Sequence, residues 1–204
     1  MRAFRCETGI AAAIPRANVD TDAIVPSRFL KTVSRHGLGE ALFHERRYGG
    51  DGEPDLDFVL NREPWTRAKF LVALENFGSG SSREHAVWAL ADFGIRCVVA
   101  ATFAEIFANN CCKNGILPVS LPRERIDRLM ELAQSAATAK LTIDLERCAI
   151  TDASGEAISF DIDPVRRNAL LSGLDEISET ERLLPRIVAH EDRRAYPLPP
   201  IEAI

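Results

Sequence analysis

The sequence predicts an α/β fold with a mainly parallel central sheet and flanking helices. From Ala68 onwards, short apolar and β-branched runs alternate with segments of helical periodicity, which is typical of strands joined by helical crossovers. With 204 residues, 46% of them hydrophobic, the chain can bury one main core. We therefore predict a single domain over residues 1–195, followed by a proline-rich tail over residues 196–204.

The strand–helix alternation consists of three apolar runs and three helical patterns. Each run has the length of a buried strand, and each helical pattern repeats its apolar residues every three or four positions. Gly115 suits the end of a helix because glycine adopts left-handed backbone angles without strain. The predicted elements are strand Ala68–Leu74, helix Arg83–Asp92, strand Ile95–Ala100, helix Phe103–Cys112, strand Ile116–Val119 and helix Arg123–Ala137.

A β-hairpin and a capped helix are predicted next along the chain. The segments Lys140–Thr151 and Ala157–Ile162 alternate like strands, and the turn residues 152–156 separate them. Asp163 followed by proline predicts an N-cap and a first helical residue, opening a helix that ends near Gly173.

The two ends of the chain carry weaker signals. We predict a last helical stretch over Ser178–Asp192, kinked or split at Pro185 because proline disrupts a helix interior. In the N-terminal third, Asn18–Asp22 is rich in turn residues, and the basic residues and glycines of 27–39 predict a mobile loop.

Composition and cysteine usage exclude several classes of function. The net charge of −5 creates no basic field for nucleic acid or an anionic membrane. No apolar run approaches the roughly 20 residues that cross a bilayer, and we see no signal-peptide pattern, so we expect a cytoplasmic protein. The five cysteines include no C-x-x-C pair, and the adjacent Cys111 and Cys112 must point in different directions. We therefore expect reduced thiols, and neither zinc nor an iron–sulfur cluster bound by this chain alone.

The most informative segment is the glycine- and serine-rich turn at residues 75–86, between a predicted strand and a predicted helix. Its glycines let main-chain N–H groups approach a ligand, and a helix N-terminus favours an anion. Ser81 and Glu84 have the spacing of a capping box. From these residues alone two interpretations stay open: an anion site, or a turn in which Ser79, Ser81 and Ser82 act only as caps and shape the chain.

Residues 80–86 read Gly-Ser-Ser-Arg-Glu-His-Ala, which resembles the signature of the mobile, or swivelling, domain of aconitase-type enzymes. Residues 18–26 resemble the opening of the small subunits of isopropylmalate isomerases. Other similar segments are 57–61, 104–107, 114–119, 163–167 and 173–175. The resemblance covers about residues 14–181 and implies the β/β/α layers of the swivelling domain.

The resemblance implies an isomerising dehydratase of leucine biosynthesis, which removes water from a 2-hydroxy dicarboxylate and adds it back with the hydroxyl on the neighbouring carbon. It also implies that a separate large subunit, in a heterodimer or heterotetramer, holds a 4Fe–4S cluster that acts on the leaving hydroxyl. In that family, the residue matching Ser81 abstracts the proton and the residue matching Arg83 binds a substrate carboxylate.

The resemblance places substrate recognition in the loop 27–39, and we expect substrate contacts from Ser82, Arg28, Leu30 and Lys31. An apolar side chain between two cations suits a dicarboxylate with a branched hydrocarbon arm. An ordinary surface loop is an equally open interpretation of these residues. Alternative substrates are citramalate, methylmalate and homoaconitate, and an alternative of another class is a non-catalytic, anion-binding regulatory module.

The remaining candidate residues are expected to support the site rather than react. Two carboxylates in a turn could indicate a metal, but the Asp-Thr-Asp sequence is more typical of a hydrogen-bonded scaffold. We expect no metal ligands in this chain. The supporting residues are Asp20, Thr21, Asp22, Gly78, Ser79, Gly80 and His85.

Overall fold

A computed structural model describes residues 1–31, 34–81, 83–174 and 176–193. The chain contacts divide it into two compact units, Met1–Gly173 and a second unit that begins at Leu174. The predicted proline-rich tail at 196–204 lies outside the described residues, so the predicted domain limits stay a prediction. In the described ranges, no helix is both long and apolar enough to cross a membrane.

The described strands of the first unit form one seven-stranded sheet in the order β4-β3-β2-β1-β5-β6-β7. Strands β1 to β4 are mutually parallel, whereas β5, β6 and β7 pair in antiparallel fashion. The predicted α/β class with a largely parallel sheet is therefore confirmed. The strands are β1 (Cys6–Ile14), β2 (Ala68–Ala73), β3 (Cys97–Ala100), β4 (Leu117–Ser120), β5 (Lys140–Asp144), β6 (Ala149–Thr151) and β7 (Ala157–Ser159).

The predicted helices are present with small shifts at their ends. The last predicted stretch is split into α7 and α8, with Pro185 in the first turn of α8 as expected. Helix α6 begins after Asp163, whose carboxylate accepts from the backbone N–H groups of Val165 and Arg166, and it ends at the left-handed Gly173. The helices are α1 (Thr21–Ile24), α2 (His44–Arg47), α3 (Glu84–Phe93), α4 (Glu105–Lys113), α5 (Arg123–Gln134), α6 (Pro164–Ser172), α7 (Glu176–Arg182) and α8 (Leu184–Glu191).

Two strand assignments differ from the sequence prediction. Strand β1, in the middle of the sheet, was not predicted because its second half contains Ala11-Ala12-Ala13, and alanine is a poor strand former. The predicted strand Lys140–Thr151 is wrong as one element, since it reverses and forms β5 and β6. Asp144 Oδ1 accepts from the N–H of Arg147 at 2.9 Å, and Cys148 has a left-handed φ of 52°, which closes that turn.

Alternate residues of the parallel strands pack on opposite faces of the sheet. Ala12, Leu71 and Val98 face one apolar cluster together with α3 and α4. Neighbouring residues such as Phe70 and Val99 face a second cluster with α5 and α6. This is the arrangement expected of a sheet whose two faces are both buried.

The two adjacent cysteines near the end of α4 belong to different clusters. Cys111 packs in the cluster with α3, and Cys112 in the cluster with α5. Burial raises the pKa of the Cys111 thiol far above its usual value and that of Cys112 to about 11. The two cysteines therefore point in different directions, as predicted, and each packs in its own apolar cluster.

A buried ion cluster ties together the amino ends of the parallel strands. Glu7 on β1 is 8% exposed and accepts from Lys69 Nζ and Arg96 Nε, each at 3.1 Å. Arg96 also donates to the carbonyl oxygens of Gly115 at 2.6 Å and Ala3 at 2.9 Å. Burial by itself raises the pKa of Glu7, but the two cationic donors outweigh it, so the net pKa lies below the ordinary value.

Replacing Glu7 by glutamine should lower the free energy of unfolding at pH 7 by about 1.5–3 kcal/mol, the usual contribution of hydrogen bonds to a charged group. The folded state lowers the Glu7 pKa, so its contribution is present above the ordinary value of 4.5 and is lost as the pH falls below it. Urea unfolding at pH 7 and pH 3.5 measures this. The difference between the two proteins should shrink at pH 3.5, and an unchanged difference would contradict the electrostatic explanation.

Candidate functional site

The glycine-rich turn lies beyond the carboxyl ends of β1, β2 and β3, between two flanking segments. On one side, Thr21 N donates to Ser79 O at 2.9 Å and Gly78 N donates to Val19 O at 2.7 Å. On the other side, Phe77 N donates to Thr102 O at 3.0 Å. The carboxyl edge of parallel strands is the usual place for a ligand site in α/β proteins, and here the backbone fixes the turn from both sides.

Two positions in the turn require glycine. Gly78 has a φ of 77°, and a Cβ atom there would lie 2.1 Å from Cγ of Phe107. Gly80 has a φ of 89°, but the nearest atom to its Cβ position is 3.4 Å away. The left-handed backbone favours glycine at both positions, and at Gly78 the ring of Phe107 also leaves no room for a side chain.

Ser81 is exposed at the entrance to α3. Its carbonyl oxygen accepts from Thr21 Oγ1 at 3.1 Å, so Thr21 fixes the backbone on which the Ser81 side chain stands. Thr21 itself is 2% exposed. The hydrogen bond from Thr21 to Ser81 is therefore one contact through which the segment 18–22 supports the turn.

The predicted capping box is wrong. Helix α3 begins at Glu84, its N-cap residue is Arg83, and no side chain of that cap residue closes the first turn. The Glu84 carboxylate accepts instead from Asn114 Nδ2 at 2.8 Å, because the end of α4 lies beside it. Ser82 lies outside the described residues.

Arg83 points to the neighbouring aspartate pair. Its guanidinium forms an ion pair with Asp22, and the Arg83 side chain is 28% exposed. Asp20 has a different role, since its Oδ1 accepts from the N–H of Ala23 at 2.7 Å and caps α1. The two aspartates form a scaffold that holds Arg83 and α1, as the Asp-Thr-Asp spacing indicated.

Ser81 and Arg83 line an open cavity of about 250 Å³. Thr21 and the turn form its polar wall, and α4 with the residue before it forms the other wall. The α4 wall was missed by the sequence analysis, although the position of α4 directly after the parallel strand β3 could have indicated it. The residues of that wall are Ala104, Glu105, Ile106, Phe107 and Asn110.

The loop residues predicted to contact substrate lie elsewhere in this structure. Arg28 forms an ion pair with Glu45 and donates to His44 Nδ1 at 2.9 Å. Leu30 packs partly buried against the core, and Lys31 is exposed. Among the described residues, the cavity that contains Ser81 is lined by none of these three.

His85 packs on α3 next to Trp88, with 4.7 Å between the ring centroids. This contact is along the helix and suits the supporting role predicted for it. Over the described ranges, His, Cys, Asp and Glu side chains form no group of three that could hold a metal ion.

Comparisons with known proteins agree along the chain. The family described as the aconitase C-terminal domain matches residues 1–124, and the one described as LeuD_N matches residues 127–164. A 3-isopropylmalate dehydratase small subunit from Roseobacter denitrificans is 51% identical over 98% of this chain and 99% of its own length. One from Granulibacter bethesdensis is 55% identical over 98% of this chain and 95% of its own length.

A solved structure has the same fold. The crystal structure of a 3-isopropylmalate dehydratase from Methanocaldococcus jannaschii matches with a TM-score of 0.66 and 25% identity. The match covers 92% of this chain and 99% of that chain. By sequence over nearly its whole length, and by fold, this chain belongs to the family of 3-isopropylmalate dehydratase small subunits, within the aconitase superfamily.

Proposed function

We propose that this chain completes the active site of a cytoplasmic hydro-lyase that converts 2-isopropylmalate to 3-isopropylmalate in leucine biosynthesis. The observation that carries the proposal is the meeting of Ser81 and Arg83 at one open cavity beyond the carboxyl ends of the parallel strands. Family membership supports the reaction type. A cytoplasmic location is supported by the five free cysteines.

Ser81 is the proposed proton-abstracting residue. The reaction breaks a C–H bond next to a substrate carboxylate, and the proton passes to Ser81 Oγ. A serine hydroxyl is a weak base, so the alkoxide needs nearby positive charge and N–H donors. Ser81 lies two residues before Arg83, the N-cap of the ten-residue helix α3, so the positive end of the α3 dipole is close in the chain, and Arg83 lines the same cavity.

Arg83 is the proposed carboxylate-binding residue. Arg83 lines the cavity, its side chain is 28% exposed, and it forms an ion pair with Asp22. A guanidinium carries five N–H donors, more than one ion pair uses. The planar guanidinium can hold a carboxylate through two parallel hydrogen bonds, which a lysine cannot do. Ser82, next to both residues in sequence, stays a proposed substrate contact.

The apolar wall of the same cavity suits the hydrocarbon part of the substrate. Ala104, Ile106 and Phe107 line the cavity together with Ser81 and Arg83, beside the polar residues Glu105 and Asn110. A dicarboxylate with an isopropyl arm has the same division into charged and apolar parts. For Arg28, Leu30 and Lys31 to reach this substrate, Arg28 must exchange its contacts with His44 and Glu45.

The proposal assigns the 4Fe–4S cluster to a large partner subunit. The cysteines of this chain do not suit a cluster: Cys97 and Cys111 are wholly buried, and Cys112 faces the opposite side of the sheet from Cys111. When bound in the partner, the cluster supplies a Lewis acid for the leaving hydroxyl. This chain contributes the proton acceptor and the carboxylate site.

Reconstitution tests the proposal. The chain and its large partner, purified separately and mixed anaerobically, should interconvert 2- and 3-isopropylmalate, and neither should do so alone. Ultraviolet absorbance of the unsaturated intermediate gives the rate. Citramalate, methylmalate and homoaconitate serve as competing substrates. Turnover by this chain alone would contradict the proposal, and ligand binding without any turnover of the mixture would favour an anion-binding regulatory module.

A further inference from the structure

The segment Ser27–Lys31, which carries the predicted substrate contacts, lies between two parts of the chain that are hydrogen-bonded to each other. Phe43 N donates to Ile24 O at 2.7 Å, joining the chain just before the segment to the chain well after it. Ile24 is 0% exposed and Phe43 1% exposed. The hydrogen bond between Ile24 and Phe43 is therefore part of the buried core, whereas Ser27–Lys31 lie between these two residues in sequence and are not fully buried.

Gly39 is a second fixed point, and it is held on both sides. Its N–H donates to Asp92 Oδ2 at 2.8 Å, and its carbonyl oxygen accepts from Arg47 Nη1 at 3.1 Å. A Cβ atom on Gly39 would lie 2.8 Å from the backbone nitrogen of Phe93. The returning chain thus lies directly against the end of α3 and has no freedom to slide there.

Arg47 is itself fixed by several contacts. Its Nε donates to Asn61 Oδ1 at 3.1 Å, and its guanidinium lies 5.2 Å from the ring centroid of Phe93. Asn61 Nδ2 donates in turn to the carbonyl oxygen of Asp55 at 2.9 Å. An arginine with this many contacts acts as a rigid bridge rather than a solvated surface charge.

Asp92 and Arg47, which both bond to the backbone of Gly39, are called the clamp below. Helix α3 connects the clamp to the reaction site. Arg83 is the N-cap of α3 and Asp92 lies in its last turn, about 13.5 Å along the axis at the usual rise of a helix. Between them on the helix, the ring of Trp88 makes a cation–π contact with the guanidinium of Arg35, 5.1 Å from the ring centroid. Arg35 and Gly39, which follow the substrate segment in sequence, therefore both contact the helix whose N-cap is Arg83.

We propose that Asp92 and Arg47 are positioning residues that set where the substrate segment stands relative to Ser81 and Arg83. They contact no substrate and act through the backbone of Gly39. This inference rests on the proposed function. Loosening the clamp should let the segment occupy more positions, which weakens recognition of the hydrocarbon arm more than it slows proton transfer.

The test measures kcat and KM of the complete two-subunit enzyme with 2-isopropylmalate and with citramalate, which has a methyl group in place of the isopropyl arm. Loss of a hydrogen bond to a charged acceptor corresponds to about a tenfold change. Asp92→Ala should lower the preference for 2-isopropylmalate by about this factor, mainly through KM. Asp92→Asn keeps an acceptor for the Gly39 N–H and should retain most of the preference.

Arg47→Met removes the other half of the clamp and should shift the preference in the same direction. Asp127→Ala, which removes an exposed aspartate from α5, is the matched control and should leave the preference unchanged. Urea unfolding of each variant identifies any that fail to fold. The inference is overturned if Asp92→Ala and Arg47→Met are folded and keep the wild-type preference, or if Asp92→Asn is as impaired as Asp92→Ala. Full turnover by a Ser81→Ala enzyme would instead overturn the proposed function.

Discussion

Replacing Ser81 by alanine should lower kcat of the assembled enzyme by about 10²–10⁴-fold, the usual contribution of a positioned acid–base group. The Ser81 side chain is exposed at the cavity. Thr21 donates a hydrogen bond to the carbonyl oxygen of Ser81, not to the Ser81 hydroxyl. Removing Oγ therefore breaks no described contact of the turn. Steady-state kinetics with 2-isopropylmalate gives kcat, and analytical ultracentrifugation shows whether the two subunits still assemble.

Two further variants make the Ser81 result specific. Ser159→Ala removes an exposed hydroxyl from β7, the edge strand of the sheet, and should keep wild-type kinetics. Arg83→Lys keeps the charge but loses the two-pronged geometry, so KM should rise more than kcat falls. A Ser81→Ala enzyme within a few-fold of wild type would remove this residue from the chemistry.

Gly78→Ala should destabilise the fold by about 3 kcal/mol or more, because a left-handed φ and steric overlap act together. Its Cβ would stand 2.1 Å from the ring of Phe107, which packs 5.5 Å from the ring of Phe77 between centroids. The ring cannot withdraw into the core without disturbing that pair. Urea unfolding of the isolated chain measures the loss.

Gly80→Ala is the matched control for the steric part. Both glycines have left-handed φ angles, but a Cβ atom on Gly80 would lie 3.4 Å from its nearest neighbour, Cβ of Asp20, which is an ordinary contact. The Gly80 variant should therefore lose only the conformational part, about 1–2 kcal/mol. Equal losses in the two variants would show that the contact with Phe107 does not constrain the turn.

The elements that the sequence predicted well are those in which local chemistry and tertiary position agree. Asp163 and Pro164 cap α6, and Gly173 ends it, because each residue satisfies a need of the helix terminus itself. The β6–β7 hairpin follows from the turn residues 152–156 for the same reason. The alternation of strands and helices after Ala68 was sufficient to predict the parallel strands β2, β3 and β4.

The elements that the sequence did not predict depend on distant partners. The alanines of β1 become a strand only because β2 and β5 pair with its two edges. Glu84 does not form the expected capping box but accepts from Asn114, thirty positions later in the chain. The wall formed by Ile106 and Asn110, like the clamp at Gly39, arises where separate segments meet, and no local pattern encodes it.

The position of β1 in the sheet also bears on how the protein is synthesised. The ribosome produces this central strand first, yet Ile10 pairs with Ala68 and Glu7 pairs with Ile143, so both neighbours emerge later. Until translation has passed β5, the nascent polypeptide contains an apolar strand with an unsatisfied edge, the feature that invites aggregation or chaperone capture. Of the seven described strands, the one in the middle of the finished sheet is therefore made first, and it must wait for β5 before both of its edges are paired.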